Sequence, residues 1–220
     1  MSNSEKPKDK EQTPRDPSRR KFLKGVGIAG ATAAVADSLW LEAEAAEKEK
    51  QAASARTLSG NVSLTLDVNN QKKTVKVEPR TTLLNALRNH VEPNVTGPKL
   101  VCDIGTCGAC TVLLDGKPVY SCLVLAVDSA GKKITTVEGL GSPESMNPVQ
   151  AAFVEKDALM CGFCTPGFVT TISAYLKKNP NPSEAEVREA CKGNFCRCGT
   201  YPRVFEAALA AAKVETTRAE

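Results

Sequence analysis

Apolar and polar side chains alternate strictly in VSLTLDV, Val62 to Val68, the period of a half-buried strand. NNQ, residues 69–71, reads as a turn, and KTVKV, Lys73 to Val77, alternates again, so the two runs predict a hairpin. The period then changes. In TTLLNALRNHV, Leu83, Leu84, Leu87 and Val91 recur at helical spacing, with Thr81 or Thr82 placed to cap the first turn. TVLLDGKPVYSC predicts a second hairpin about a tight Asp115-Gly116 turn, and KITTVEGL predicts a closing strand. Strands, one helix and more strands make an α+β fold for this half.

GLGSPESMNP, Gly139 to Pro148, is rich in turn-forming residues and reads as a linker. Beyond it the pattern is helical. NPVQAAFVEKDAL predicts a helix from Asn147 to Leu159, capped by Asn147, with Pro148 at its first position and Val149, Ala152, Phe153 and Leu159 apolar. A second helix is expected from about Pro166 to Lys178. PSEAEVREACKG opens on Ser183 with Glu186 three residues later, a capping box. YPRVFEAALAAAKV predicts a last helix. No repeat of fixed period is present.

The first 17 residues are polar, charged and proline-bearing, with nothing to bury, and are expected to be disordered. SRRKFLKG follows, with paired Arg19 and Arg20 and then Phe22 and Leu23, and after it a short, mildly apolar Gly/Ala stretch. Ala43 and Ala45 then supply small residues for a cleavage site. Basic, apolar, small is the order of an export signal, and the arginine pair marks the twin-arginine kind. The plain alternative is a basic tail before an amphipathic helix. A third reading keeps the signal uncleaved as a membrane anchor, although the apolar stretch is too short to span. The boundaries expected are a twin-arginine signal over 1–45, a charged linker over 46–58, and domains over 59–140 and 141–220.

Composition narrows the function. The 220 residues suit one ordinary domain or two small ones. Aromatic residues at 5% leave a mostly aliphatic core, and a net charge of +4, scattered along the chain, excludes a nucleic-acid binder. Nine cysteines are many for a reducing compartment, and an odd number leaves a disulfide framework one thiol over.

Their spacing is informative. Cys102, Cys107 and Cys110, followed by Cys122, have the plant-type ferredoxin spacing for a 2Fe-2S cluster. Two irons need four thiolates in one small volume, and a tightly coiled loop can supply three. Gly105 and Gly108 permit the coiling and let amides approach sulfur. The second set is Cys161 and Cys164, then Cys196 and Cys198. Taken alone, a Cys-x2-Cys pair is commonly a zinc site. Beside a plant-type loop and a signal for exporting folded, cofactor-loaded proteins, it reads as a second 2Fe-2S site. Cys191, in line with Val187, is expected to be a buried core thiol. His90 is the sole histidine, so a Rieske centre with two histidine ligands is excluded.

The motifs CDIGTCGACTVLLDG, TTVEGL, NPVQAAF, CGFCTPGF and GNFCRCGTYPRV together resemble the small iron-sulfur subunit of the xanthine dehydrogenase and aldehyde oxidoreductase family, the molybdenum hydroxylases. The likeness runs from about Asn61 to Ala212. It implies a β-grasp plant-type ferredoxin domain followed by an all-α four-helix domain, each holding one 2Fe-2S cluster. It implies a large partner subunit whose molybdopterin oxidises an aldehyde or N-heterocycle, with Gln150 and Cys198 facing the pterin. This chain would carry the electrons onward, with no substrate-converting site of its own, to an external acceptor, a FAD subunit or a cytochrome c subunit. The arginine pair implies the twin-arginine export machinery and a periplasmic location. Val101 departs from the family, which commonly has glycine before the first cysteine, as does GPKLV ahead of it. Two rival readings are a stand-alone exported 2Fe-2S ferredoxin and a secreted disulfide or zinc protein.

Overall fold

The first hairpin turns where two residues accept a left-handed backbone. Strands β1 (Val62–Val68) and β2 (Gln71–Val77) pair antiparallel around Asn69 and Asn70, at φ 51° and 64°. Asparagine tolerates that region, and two such residues give the hairpin its favoured twist. The second hairpin joins β3 (Thr111–Leu114) to β4 (Lys117–Tyr120) through Asp115 and Gly116, at φ 50° and 77°. With β5 (Lys133–Thr135) the strands form one mixed sheet in the order β2-β1-β5-β3-β4, in which only β1 and β5 run parallel. This computed structural model describes residues 58–219, with side chains to residue 214. The export signal of 1–45, with Arg19 and Arg20, and nearly all of the expected linker lie outside the described residues.

Helix α1 (Leu83–Asn89) lies on one face of the sheet. Its cap is Thr82, whose hydroxyl accepts the Asn85 amide at 3.2 Å. Leu83, Ala86 and Leu87 meet Leu66, Val68, Val75, Val77, Val112 and Ile134 in a core from which water is excluded. The helix is also pinned from outside, because Leu83 and Leu84 donate their amides to the Val124 and Ser121 carbonyls.

The closing strand is shorter than its sequence suggests. Pairing stops at Thr135, and Val137–Gly139 forms a 3-10 turn. Asn69 accepts the Thr136 amide and donates to its hydroxyl, each at 2.9 Å. Thr136 donates in turn to Glu138, whose other oxygen accepts the Gly97 amide at 2.6 Å. These side chains take over the hydrogen bonds of a continuing strand and bend the chain toward the second half.

Four helices follow: α2 (Pro148–Glu155), α3 (Thr165–Leu176), α4 (Glu184–Ala190) and α5 (Tyr201–Ala219). Asn147 with Gln150, and Ser183 with Glu186, form complete capping boxes. Helix α2 ends four residues earlier than the apolar pattern suggests. Asp157 turns left-handed at φ 49°, so buried Ala158 enters the core and Leu159 points outward. The second core gathers Val149, Phe153, Phe168, Ile172, Leu176, Val187 and Val204. Tyr201 meets Phe168 edge-on at 6.0 Å and stacks on Phe205 at 6.2 Å. Cys191 lies in this core, at the C-cap of α4, and burial pushes its thiol up to about 12. His90 caps α1 at its C-terminal end and is exposed.

The described residues pack as one unit around these two separate cores. Helix α3 presses against β3, and the approach is backbone to backbone. A β-carbon on Gly167 would lie 2.3 Å from the Gly108 carbonyl oxygen. Alanine in a helix ordinarily stabilises by up to ~1 kcal/mol over glycine. Here the contact reverses the sign. Gly167→Ala should lower unfolding free energy by about 1–3 kcal/mol, the usual cost of overpacking, as read by denaturant titration.

Candidate iron-sulfur sites

The first four candidate cysteines converge beside the sheet. Cys102 and Cys107 lie on the loop before β3, Cys110 adjoins its first residue, and Cys122 follows β4. Cys110 and Cys122 meet Sγ to Sγ at 3.4 Å, and Cys102 and Cys107 share a hydrogen bond. The hairpin turn is what returns Cys122 to Cys110, since the register sets Thr111 opposite Tyr120. Ser121, fully buried, donates its hydroxyl to the Cys110 carbonyl at 2.7 Å and fixes the end of β4.

The loop between Cys102 and Cys110 turns its amides inward. Asp103, Gly105 and Gly108 all have positive φ. Amides of Ile104 and Thr106 reach the Cys102 sulfur, those of Ala109 and Cys102 reach Cys107, and that of Gly105 reaches Cys122. Gly105, at φ 71°, has a backbone conformation that favours glycine. Burial alone would raise the Cys102 thiol, but the amide donors, with Thr106 and Cys107, bring it down to about 6. Burial and the adjacent Cys110 push Cys122 up to about 12, and burial raises Cys107.

The second four are brought together from two distant segments. Cys161 and Cys164 precede α3, while Cys196 and Cys198 lie between α4 and α5. They pair as Cys164 with Cys196 and Cys161 with Cys198. Cys196 is held most tightly: its sulfur is 3.2 Å from the Thr200 hydroxyl, and its amide donates to Tyr201 Oη at 2.8 Å. Against the effect of burial, the Thr200 hydroxyl and amide, Cys164 and the Cys198 amide lower it to about 7. Burial and the Cys196 partner push Cys164 up to about 12. The Cys161 amide pulls Cys198 down, yet the hydrogen bond shared with the Cys161 thiol leaves Cys198 raised. Cys161 and Cys198 are both exposed, beside the outward-facing Met160, Phe163 and Phe195.

Each quartet is two pairs of thiols, the donor set that a two-iron rhomb takes. Main-chain N–H groups aimed at sulfur are the donors that stabilise a charged cluster. Beside Cys164, the buried Thr165 hydroxyl has no partner, which leaves an O–H free for a sulfur acceptor. Cys191 joins neither set.

Gln150 is not brought to the second quartet. Its Nε2 donates to the Val137 carbonyl at 3.0 Å, and its Oε1 accepts the Asn147 amide at 3.1 Å. Asn147 bonds to Ser173, about two and a half helical turns along α3 from Cys164. The capping box and the chain bend at Val137 therefore engage both ends of the amide. Met160, next to Cys161 in the chain, is 69% exposed.

Known proteins match over the same span. A family model described as a 2Fe-2S iron-sulfur cluster binding domain covers residues 66–134, and one described as a 2Fe-2S binding domain covers 136–209. The nicotine 6-hydroxylase small subunit of Paenarthrobacter nicotinovorans is 46% identical over 151 residues, which are 69% of this chain and 90% of that protein. The nicotinate dehydrogenase small FeS subunit of Eubacterium barkeri is 37% identical over 146 residues, 66% of this chain and 92% of the other. The quinoline 2-oxidoreductase structure from Pseudomonas putida 86 superimposes with a TM-score of 0.68 at 42% identity, over 72% of this chain and 98% of the matched one. The aldehyde oxidoreductase of Desulfovibrio gigas does so with a TM-score of 0.66 at 36% identity, over 71% of this chain and 17% of that longer one. With a β-grasp half and a helical half, each matching a 2Fe-2S-binding domain, this chain belongs to the small iron-sulfur subunits of the molybdenum hydroxylases.

Proposed function

We propose that Cys102, Cys107, Cys110 and Cys122 hold one 2Fe-2S cluster and Cys161, Cys164, Cys196 and Cys198 the other. The observation that carries this is the convergence of each four into two hydrogen-bonded pairs with amides aimed at sulfur. When bound, each cluster accepts and releases one electron at a time. The chain's own part is to hold the thiolates, bury half of them, and present the outer edge of each site to a different partner.

The helical site faces the molybdopterin of the large subunit. Its exposed thiols, Cys161 and Cys198, are bordered by Met160, Phe163 and Phe195, apolar side chains that a lone soluble protein gains nothing by exposing. Cys198 is the residue suited to meet the pterin. Gln150 already spends one N–H on the Val137 carbonyl and one lone pair on the Asn147 amide. The ferredoxin site is the exit, with Cys102 partly exposed beside Leu100, Val101 and Ile104. The acceptor there is external, carried by a cytochrome c or FAD subunit. The substrate, oxidised on the partner, is an aldehyde or N-heterocycle, in keeping with the names of the nicotine, nicotinate and quinoline relatives. The paired Arg19 and Arg20 direct the loaded complex to the periplasm by the twin-arginine route.

Removing one ligand from each site tests the assignment. Cys122→Ala and Cys164→Ala should each lower bound iron from about four to about two per chain, abolishing one paramagnetic resonance signal and sparing the other. Cys191→Ala should retain all the iron; a loss there would reassign the second site. Changing Arg19 and Arg20 together to lysine should leave the iron-loaded complex in the cytoplasm on fractionation. Normal periplasmic recovery would refute the export reading.

A further inference from the structure

The two edges of the sheet are finished differently. At β4, the register about the Asp115-Gly116 turn bonds Lys117 and Val119 to β3 and aims the main chain of Pro118 and Tyr120 outward. Proline has no N–H to offer there, and the Tyr120 carbonyl already accepts the Leu123 amide at 2.9 Å. Helix α3 also packs against β3 and β4. The β2 edge is open. This strand ends the sheet, and the register about Asn69-Asn70 bonds Gln71, Lys73, Val75 and Val77 to β1. The N–H and C=O groups of Lys72, Thr74 and Lys76 therefore point away from the sheet. Among the described residues, no other backbone pairs with them. All 7 residues of β2 are in continuous register, with no proline, glycine or bulge. Such an edge is a template for one more strand.

Side chains decide which strand fits. Lys72, Thr74 and Lys76 are all exposed on one face, while Val75 and Val77 on the other are sealed in the α1 core. Among the described residues, neither ammonium has an ion-pair partner. Asp67, opposite Lys72 in the register, also neighbours Lys133, so positive charge is in excess along this row. A second copy of β2, paired antiparallel about a two-fold axis at Thr74, would set Lys72 against Lys76, like charge opposite like. The lysines thus exclude self-association and favour a strand with carboxylates four residues apart, one facing each ammonium.

We propose that the open edge of β2 receives an extended acidic segment of a partner subunit, added as a sixth strand. Main-chain bonds to Lys72, Thr74 and Lys76 supply the hold, and carboxylates facing Lys72 and Lys76 supply the choice of partner. This edge is the one farthest in the sheet order from β3 and β4, where the first thiol quartet and the helical half adjoin the sheet. The proposal stands on the chain being one subunit of an assembly and is independent of the ligand reading above.

Two measurements on the unaltered complex test it. Carbodiimide coupling joins lysine amines to carboxylates in contact, and it should yield peptides linking Lys72 or Lys76 to an acidic residue of a partner chain. Hydrogen exchange resolved to single amides should be about a hundredfold or more slower at Lys72, Thr74 and Lys76 than at unprotected amides, as in a paired strand. Unprotected rates at these three overturn the proposal, as does protection whose cross-links join two copies of this chain. Thr74→Pro gives β2 the device that closes β4, removing one outward N–H and no bond to β1. It should weaken partner affinity about two- to tenfold, the range of one hydrogen bond, at unchanged iron content. Lys72→Glu with Lys76→Glu should weaken it further, with a loss that grows as salt is lowered. Should Thr74→Pro lose its iron, the charge-reversed chain carries the test alone, since both lysines are exposed. Wild-type affinity in that chain overturns the acidic partner, whatever the cross-linking yields.

Discussion

Main-chain amides facing sulfur are what the first half of the chain is arranged to provide. A loop from Cys102 to Cys110 is too short to bring side-chain donors to each thiol, so the backbone itself must turn inward, at positive φ where needed. Such a loop is held only if its ends are held. Strand β3 fixes one end, and Lys99 bonding to the Ala109 carbonyl fixes the other. The sheet, the α1 core and buried Ser121 convert a strained local conformation into a single one.

The same economy of side chains joins the halves. Where Gly108 meets Gly167 and Asn194, and Gly193 meets Tyr120, the backbones approach as closely as they can because no β-carbon intervenes. The two cores do not merge, yet the seam between them is set by backbone contacts that tolerate little displacement. The distance between the two thiol quartets therefore depends on packing rather than on the linker the sequence suggested at residues 139–148.

Much of this was legible beforehand, because much of it is local. Caps at Thr82, Asn147 and Ser183, the Asp115-Gly116 turn and the cysteine spacings involve residues within a few positions of one another. The misread features are long-range or competitive. Nothing near KITTVEGL announces that Asn69, 67 residues away, will take over the hydrogen bonds of Thr136. Asp157 ends α2 by adopting a conformation that apolar periodicity does not encode. The bond from Asn194 to Gly108 spans 86 positions and left no trace in the spacing of either motif.

The second quartet draws two thiols from before α3 and two from after α4. A rhomb bound there ties shut a loop of roughly thirty residues, and so removes chain entropy from the unfolded state as a covalent staple does. Iron bound there would add to the stability that the apolar core of the helical half already supplies. A chain starved of iron would then lack its electron carriers and also the clasp on its second core, so that cofactor supply would bear on which chains persist.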